Sequence, residues 1–361
     1  MTRVQLTAAV ALAAVGSMIG AAGPSVAAEG TQPGGLAGAT APADAASKCS
    51  SCHAGGIDDD GNTFRPWDTW SATMMANATR DPLFLAALTV AEQDAPGAGA
   101  YCLRCHTPKG FVKGHATGTG AALDADDHQG VDCEACHRSI DASVAQPAIT
   151  YQDATIAGIA ALDAQAPYIG NARLVWDPRD VRHGPYDDAD SPAHAAAGDR
   201  WTAGSALCGQ CHEVLSPLRN LLDAAALDTG FPFPLDNTYT EWLSSDYARA
   251  GTAKSCAECH MPAARGDALR VSTFPSSLPR TNPRMHLFVG GNAFMVGILG
   301  RYRTELGVEA LPVELDATAR ATVRQLQQET AELAVSEPRV DRKSTRLNSS
   351  HSELSRMPSS A

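Results

Sequence analysis

The chain has 361 residues, of which 44% are hydrophobic, 19% charged and 6% aromatic, a composition typical of a soluble chain of one or two domains. Its formal net charge of -12 would repel nucleic-acid phosphates, which argues against nucleic-acid binding. All ten cysteines fall into CxxC pairs that are followed at once by histidine, which excludes an ordinary cytosolic enzyme with scattered thiols.

The first predicted element is a secretory signal peptide that spans Met1 to Ala28. Arg3 is its only charged residue, an apolar stretch follows, and Ser25–Ala28 supplies the small residues that a signal peptidase needs. Retention of this segment as a membrane anchor is the weaker alternative, because serine and proline interrupt the apolar stretch. Residues 29–47 are rich in Gly, Pro, Ala and Thr and are predicted to form a flexible linker.

Short helices are predicted along the rest of the chain. In chain order they are a helix with Trp67, Trp70, Met74 and Met75, one from Pro82 through Glu92, one that starts at Ser191-Pro192 and contains His194, one over Thr238 to Ala250, and one over Asp316 to Val335. Asp81 and Pro82 are a typical N-cap and first-turn proline, and Gly251 fits a helix end. The last helix has an apolar stripe formed by Ala319, Val323, Leu326 and Leu333.

The chain ends in a polar, serine-rich segment, Asp341 to Ala361, that has no apolar period. DRKSTRLNSSH resembles the translation of a common sequencing-adapter DNA, and SRMPSSA is similar to the translation of the rest of that adapter. We therefore expect residues 341–361 to be an adapter-derived scar outside the fold. The domain predicted over residues 48–340 is then expected to be truncated at its C-terminus.

Five CxxCH motifs carry the chemistry of the sequence. They are called motifs 1 to 5 and span Cys49–His53, Cys102–His106, Cys133–His137, Cys208–His212 and Cys256–His260. In a c-type haem site, two thiols form thioethers with the porphyrin and the adjacent histidine binds the iron as its proximal ligand. Zinc sites use CxxC pairs two at a time, and redox or structural disulfides need no adjacent histidine, so these alternatives do not explain the pattern.

The motifs therefore predict five covalent haem c groups. The predicted attachment residues are Cys49, Cys52, Cys102, Cys105, Cys133, Cys136, Cys208, Cys211, Cys256 and Cys259, and the predicted proximal ligands are His53, His106, His137, His212 and His260. Each apolar porphyrin replaces side chains in the core, which accounts for the low aromatic content. Convincing strands are scarce, so the predicted fold is mainly α, with short helices and long loops around five covalently attached haems and little β structure.

The distal ligands decide whether an iron carries electrons or binds a substrate. An iron with protein ligands on both faces transfers electrons, whereas an open face can bind and transform a substrate. The candidate distal ligands are His194, His286, His183, His128 and Met75. The alternatives stay open: a capping or surface role for His194, a haem-propionate contact for His183, and core packing for Met74 and Met75. His115 lies in a Gly/Thr-rich loop and is predicted to be solvent-exposed.

Several segments resemble the cytochrome c-554/c-552 group of exported multihaem c-type cytochromes, which is related to hydroxylamine oxidoreductase and to the multihaem nitrite and tetrathionate reductases. The segments are GVDCEACHR, CGQCHEVLSP, TEWLSSDYA, CAECHMP and MHLFVGGN. The resemblance implies that the histidine of MHLFVGGN, His286, ligates iron. Members often carry WxxSxHA after their first motif with that histidine as a ligand, and here Met75 stands in its place. The CxxCK haem of the nitrite reductases is absent, since all five motifs end in histidine.

The motifs and the resemblance together predict an exported, periplasmic multihaem cytochrome that transfers electrons through five covalently bound haems. The alternative is a multihaem oxidoreductase that acts on a small nitrogen or sulfur compound at one haem with open coordination. No catalytic residue is predicted. The acidic charge favours redox partner proteins with basic docking surfaces over nucleic acid, and a membrane contact is expected only if the N-terminal segment is retained.

Overall fold

The computed structural model describes residues 43–141, 169–172, 174–177, 179–251 and 253–331. The predicted signal peptide, most of the predicted linker and the predicted scar lie outside these residues, as does Leu333 of the predicted apolar stripe. Within the described ranges, no helix combines the length and the apolar character that crossing a membrane requires.

Short helices make up most of the regular structure in the first part of the chain. They are α1 (Ala46–His53), α2 (Pro66–Trp70), α3 (Pro82–Asp94), α4 (Ala98–His106), α5 (Pro108–Val112) and α6 (Cys133–His137). Helix α3 begins where the sequence predicts, because the Asp81 carboxylate accepts hydrogen bonds from the backbone N–H groups of Leu83 and Phe84 at 2.8 and 3.3 Å. Pro82 presets the first turn of this helix.

The second part of the chain continues this pattern. Its helices are α7 (Arg200–Ala203), α8 (Ser205–Gly209), α9 (Thr238–Ser244), α10 (Cys256–His260), α11 (Ala293–Arg301) and α12 (Pro312–Gln328). The helix predicted over Thr238 to Ala250 is shorter in the structure. It ends at Ser244, because Ser245 is extended and its hydroxyl accepts a hydrogen bond from the backbone of Tyr247 at the start of a separate 3₁₀ turn.

One predicted helix is absent from the structure, and another is shorter than predicted. Ser191 does not start a helix: its hydroxyl accepts a hydrogen bond from the backbone N–H of Ala193, and His194 directly precedes a β-strand. Met74 and Met75 are not helical either, because α2 ends at Trp70 and a series of turns follows. Both differences arise where side-chain hydrogen bonds to nearby backbone compete with helix formation.

The strands form three two-stranded sheets within the described residues. The antiparallel pairs are β1 (Ser139–Ile140) with β2 (Val175–Trp176) and β5 (Val214–Leu222) with β6 (Asp228–Asp236), and the parallel pair is β3 (Val181–Gly184) with β4 (Ala195–Gly198). The β5–β6 pair has register shifts, and the prolines in β6, which have no N–H to donate, fit this irregularity. The β5–β6 hairpin is the longest β element among the described residues. The predicted mainly α class with long loops is confirmed.

The largest apolar contact between helices lies where α11 packs against α12. Leu299 and Val296 of α11 and Leu315 of α12 are buried there, and Met74 packs against the same cluster. The buried face of α12 includes Thr318. Of the stripe predicted for this helix, Ala319 packs against the cluster, whereas Val323 and Leu326 are 40% and 42% exposed, so the prediction is wrong for those two residues.

This cluster yields a stability prediction. Leu299→Ala should destabilise the protein by about 2–5 kcal/mol, because it leaves a cavity at a fully buried position. Val313→Ala on α12 is the control, since Val313 is 66% exposed and its truncation should change the free energy of unfolding by less than about 0.5 kcal/mol. Chemical denaturation followed by circular dichroism measures both values. Equal effects of the two substitutions would contradict the packing described for α11 and α12.

Candidate cofactor site

Four of the five CxxCH motifs form the end of a short helix. Motifs 1 and 2 end α1 and α4, and motifs 3 and 5 are the helices α6 and α10 themselves. Motif 4 begins in α8, and its histidine, His212, lies in the turn that follows. Residues three positions apart share one face of a helix, so the two cysteines of a motif point in the same direction. All ten cysteines lie in the described part of the chain, and none forms a disulfide bond.

Caps fix two of these helices at their start. The Asp132 carboxylate accepts a hydrogen bond from the backbone N–H of Ala135 at 3.1 Å in motif 3. At the start of motif 5, the backbone N–H and the hydroxyl of Ser255 both donate to the Glu258 carboxylate, at 2.6 and 3.0 Å. Caps satisfy the free N–H groups of a first turn, so helices of only five residues are held in place by local contacts.

The predicted proximal histidines share one hydrogen-bond pattern. In four of them, ring nitrogen Nδ1 lies within hydrogen-bond distance of a backbone carbonyl. The contacts are His53 to Val271 at 2.8 Å, His106 to Ala78 at 3.2 Å, His137 to His183 at 2.6 Å and His260 to Val289 at 2.5 Å. A carbonyl can only accept, so Nδ1 donates and the lone pair of Nε2 is left available for a metal ion.

Burial keeps most of these rings in the form that binds metal. It lowers the pKa of His53, His106, His137 and His212, because partly apolar surroundings disfavour the imidazolium ion. Only a neutral imidazole has a lone pair to offer. The geometry and the electrostatics therefore both suit these histidines to bind iron.

The motifs lie side by side although they are far apart in sequence. Thiols of different motifs lie close enough to shift one another's pKa, namely Cys49 and Cys133, Cys105 and Cys211, and Cys208 and Cys256. These contacts join motif 1 to motif 3, motif 2 to motif 4, and motif 4 to motif 5. Motifs 3 and 4 also interact, electrostatically, through Cys136 and Cys211. All five motifs therefore form one connected group.

Two of the proximal histidines face a second histidine ring. The ring centres of His53 and His194 are 6.5 Å apart with 30° between the planes, and those of His137 and His286 are 6.1 Å apart with 29° between the planes. Two imidazoles bound to opposite faces of one iron have ring centres about 6 Å apart, given metal–nitrogen bonds of about 2 Å. Both pairs are spaced for an iron between them.

The two partner rings have different surroundings. Burial lowers the pKa of His286 to about 3, and its ring nitrogen Nδ1 is buried without a hydrogen-bond partner among the described residues. An orphaned ring nitrogen in a buried place fits a ligand to a bound group. His194 lies closer to the surface, and its Nδ1 is 3.0 Å from the carbonyl of Ala195. This contact leaves the other nitrogen of His194 free to face His53.

The other candidate ligands are placed differently. His183 is buried, and its Nε2 lies 3.0 Å from a carboxylate oxygen of Asp177. His128 is half-buried in a 3₁₀ turn at Asp127–Gln129. Met75 lies next to the segment that leads into motif 3, since its carbonyl accepts a hydrogen bond from the backbone of Val131.

His115 belongs to a cluster of charged side chains. Its Nδ1 is 2.6 Å from Asp127, and Asp124 lies 3.7 Å from the same nitrogen. The Lys113 ammonium is 2.8 Å from each of these carboxylates. The ring is partly exposed, and the Lys113 ammonium provides a positive charge for the two carboxylates of the cluster.

Buried ion pairs surround motif 3. Lys109 lies 2.6 Å from Asp132, and Arg182 lies 2.8 Å from Glu134, with Lys109, Asp132 and Glu134 almost fully buried. Burial raises the pKa of Glu134 to about 7, although Arg182 opposes the shift. Charges removed from water need partners this close. Motif 3 is therefore embedded more deeply in polar and charged contacts than a surface helix would be.

An open cleft of about 500 Å³ is lined by Ala293 of α11 and by residues of α12 that include Val323 and Arg324. Cys259 of motif 5 interacts electrostatically with Glu329, the residue that follows α12.

Sequence reasoning missed several contacts of the site. The carbonyls of Val271, Ala78 and Val289 carry no signal in the sequence, because every residue has a carbonyl group. The Phe84 ring stacks on His106 with 3.6 Å between centres and 4° between planes. Its position in the first turn of α3 could be read from the sequence, but its contact with motif 2 depends on how α3 and α4 pack.

Comparison with known proteins agrees with the chemistry of the motifs. Residues 48–138 match the family described as cytochrome c554 and c-prime, and this range contains motifs 1, 2 and 3. No curated protein and no solved structure matches the chain. The matched range includes two helices that end in CxxCH and a third formed by the motif itself, each with its histidine donating to a backbone carbonyl. The match of residues 48–138 to the cytochrome c554 and c-prime family therefore supports a c-type cytochrome, a class of protein that carries covalently attached haem c and acts in electron transfer.

Proposed function

We propose that the protein is an exported electron carrier with five haem c groups, one on each of motifs 1 to 5. The observation that carries this proposal is the proximity of the motifs, since neighbouring thiols place motif 1 next to motif 3, motif 2 next to motif 4 and motif 4 next to motif 5. Groups anchored at adjoining thiols would lie close together. When bound, each haem supplies one-electron chemistry by changing its iron between the ferric and ferrous states.

The chain's own residues would set the properties of each iron. The cysteines anchor the group, the motif histidine provides a neutral nitrogen, and a backbone carbonyl fixes the orientation of that ring. The carbonyl contacts of 2.5 to 3.2 Å support this role in motifs 1, 2, 3 and 5. Hydrogen bonds of this kind raise the basicity of a metal-bound histidine and so change the reduction potential of the metal.

His194 and His286 are our proposed distal ligands. His194 would serve the iron bound by His53, and His286 the iron bound by His137, because their ring spacings fit an iron between them. Ligation on both faces favours electron transfer without binding of a substrate. His128 and Met75 remain predictions, and the pairing of His183 with Asp177 supports leaving it out of the ligand set.

One observation supports the alternative function. Among the described residues, no second histidine ring faces His106, His212 or His260 in the way that His194 faces His53. An iron on motif 2, 4 or 5 with an open face would suit an oxidoreductase for a small nitrogen or sulfur compound. We place this function second, because electron transfer by itself is enough to account for the proximity of all five motifs.

The location and the partners are part of the proposal. Met1 to Ala28 has the features of a signal peptide, and thioether attachment of haem suits an exported protein. The net charge of -12 favours redox partners with basic docking surfaces and disfavours nucleic acid. Contact with a membrane would require that the N-terminal segment is kept.

The carrier and the oxidoreductase can be distinguished with purified holoprotein made in a host that attaches haem c. We expect a one-electron donor to reduce every haem and an acceptor to reoxidise them, while nitrite and hydroxylamine are left unchanged. Stopped-flow spectroscopy measures the first property, and product analysis measures the second. Catalytic turnover of nitrite or hydroxylamine by the holoprotein would contradict the carrier and support the alternative.

A further inference from the structure

His183 holds an unusual position next to motif 3. Its side chain is 1% exposed, and its Nε2 lies 3.0 Å from a carboxylate oxygen of Asp177. Its Nδ1 lies 3.7 Å from a carboxylate oxygen of Asp199. Both carboxylates are themselves almost fully buried. A buried histidine whose Nε2 is paired with a buried carboxylate, and whose other side faces a second carboxylate, is held firmly in place.

The two carboxylates are anchored independently. Arg179 donates two hydrogen bonds to Asp177 at 2.8 and 2.7 Å. Burial alone would raise the pKa of Asp177, but hydrogen bonds from His183 and Arg179 outweigh it and hold the pKa well below its usual range. Asp199 caps α7 by accepting from the backbone N–H of Trp201 at 2.7 Å, and its own N–H donates to the carbonyl of Gly184 at 2.7 Å.

These contacts converge on the proximal ligand of motif 3. The backbone carbonyl of His183 accepts the hydrogen bond from His137 Nδ1 at 2.6 Å. Arg138, the residue after that ligand, donates to the backbone carbonyl of Asp177 at 2.6 Å, and the Asp177 N–H donates to the carbonyl of Arg138 at 2.8 Å. The backbone of His183 is therefore bonded to motif 3 directly, and Asp177, which holds its side chain, is bonded to the residue that follows motif 3.

We propose that His183 is a positioning residue for the haem on motif 3 and not one of its ligands. This inference rests on the proposed function, since it requires a haem at that motif. The side chain of His183, held between Asp177 and Asp199, fixes its own carbonyl where it orients the ring of His137 and determines which ring nitrogen carries the proton. A short hydrogen bond to a metal-bound histidine increases the basicity of the ring, which stabilises the ferric state.

The test compares three variants of the full holoprotein. His183→Ala removes the side chain that contacts Asp177 and Asp199, and His183→Gln keeps an amide that can donate to Asp177. His115→Ala is the matched control, because His115 also contacts a buried carboxylate, that of Asp127 at 2.6 Å, whereas its carbonyl accepts from the backbone of Thr117. Intact mass gives the haem count, electron paramagnetic resonance gives the spin states, and a potentiometric titration gives the reduction potentials.

We expect His183→Ala to keep every haem and every low-spin signal. One redox component should move to a more positive potential by about 59 mV, which is a tenfold change in its equilibrium constant. His183→Gln should move the same component less, and His115→Ala should leave the titration unchanged.

Two results would overturn the inference. A new high-spin signal in His183→Ala would make His183 a ligand, and an unchanged titration would leave it no positioning role. If His183→Ala does not fold, Asp199→Asn replaces it in the titration, since asparagine also caps helices. One redox component should then move to a more positive potential, and an unchanged titration would contradict the inference. A wild-type protein without haem on motif 3 would instead contradict the proposed function, and mass mapping of the peptide around Cys133 reports this separately.

Discussion

Replacing His286 with alanine should convert one haem from low spin to high spin and leave the number of attached haems unchanged. The ring of His286 lies 6.1 Å from that of His137, so its removal opens one face of the iron bound by motif 3. Electron paramagnetic resonance of the oxidised protein measures the change. Added imidazole should enter the vacated space and restore the low-spin signal.

Two further variants sharpen this prediction. His194→Ala should have the same effect at motif 1, because its ring lies 6.5 Å from that of His53. His115→Ala is the control, since the ring of His115 is partly exposed, contacts Asp127 and forms neither ring pair. Fully low-spin spectra of both His286→Ala and His194→Ala would contradict the assigned ligands.

Removing both cysteines of motif 3 should cost the protein one haem and much of its stability. In Cys133→Ala/Cys136→Ala the mass should fall by one haem. The free energy of unfolding should fall by at least about 3–5 kcal/mol, the cost of removing a large aromatic side chain from a core. The melting temperature should fall by roughly 10 °C, and thermal unfolding followed by circular dichroism measures it.

The matched control is Cys256→Ala/Cys259→Ala in motif 5. It should also remove one haem but lower the melting temperature less. Motif 3 contains the buried residues Glu134 and Ala135, whereas no residue of α10 is buried. A larger loss of stability from the motif 5 variant would contradict the conclusion that motif 3 is the more deeply buried of the two.

Local signals explain what could be predicted from the sequence. The CxxCH motifs define their own chemistry within five residues, and Asp81 with Pro82 defines the start of α3 within a single turn. The fold class followed from the same short-range patterns. These features need only neighbouring residues, so no knowledge of the tertiary structure was required.

Long-range contacts explain what could not be predicted. His194 was assigned to a helix, but the segment after it pairs with the strand that contains His183. Thr318 is buried on α12 while Val323 is exposed, because the packing of α11 decides which face is inside. The carbonyl partner of His53 lies 218 residues away in the chain. Backbone carbonyls and packing directions leave no pattern in a sequence.

The haem content of the intact protein tests the central claim most directly. Protein produced with its c-type maturation machinery should be denatured and its mass compared with that of the bare polypeptide. We predict a mass increased by five covalently attached haems, with each haem assigned to one CxxCH peptide after proteolysis. Free thiols at any of motifs 1 to 5 in fully matured protein would contradict the account.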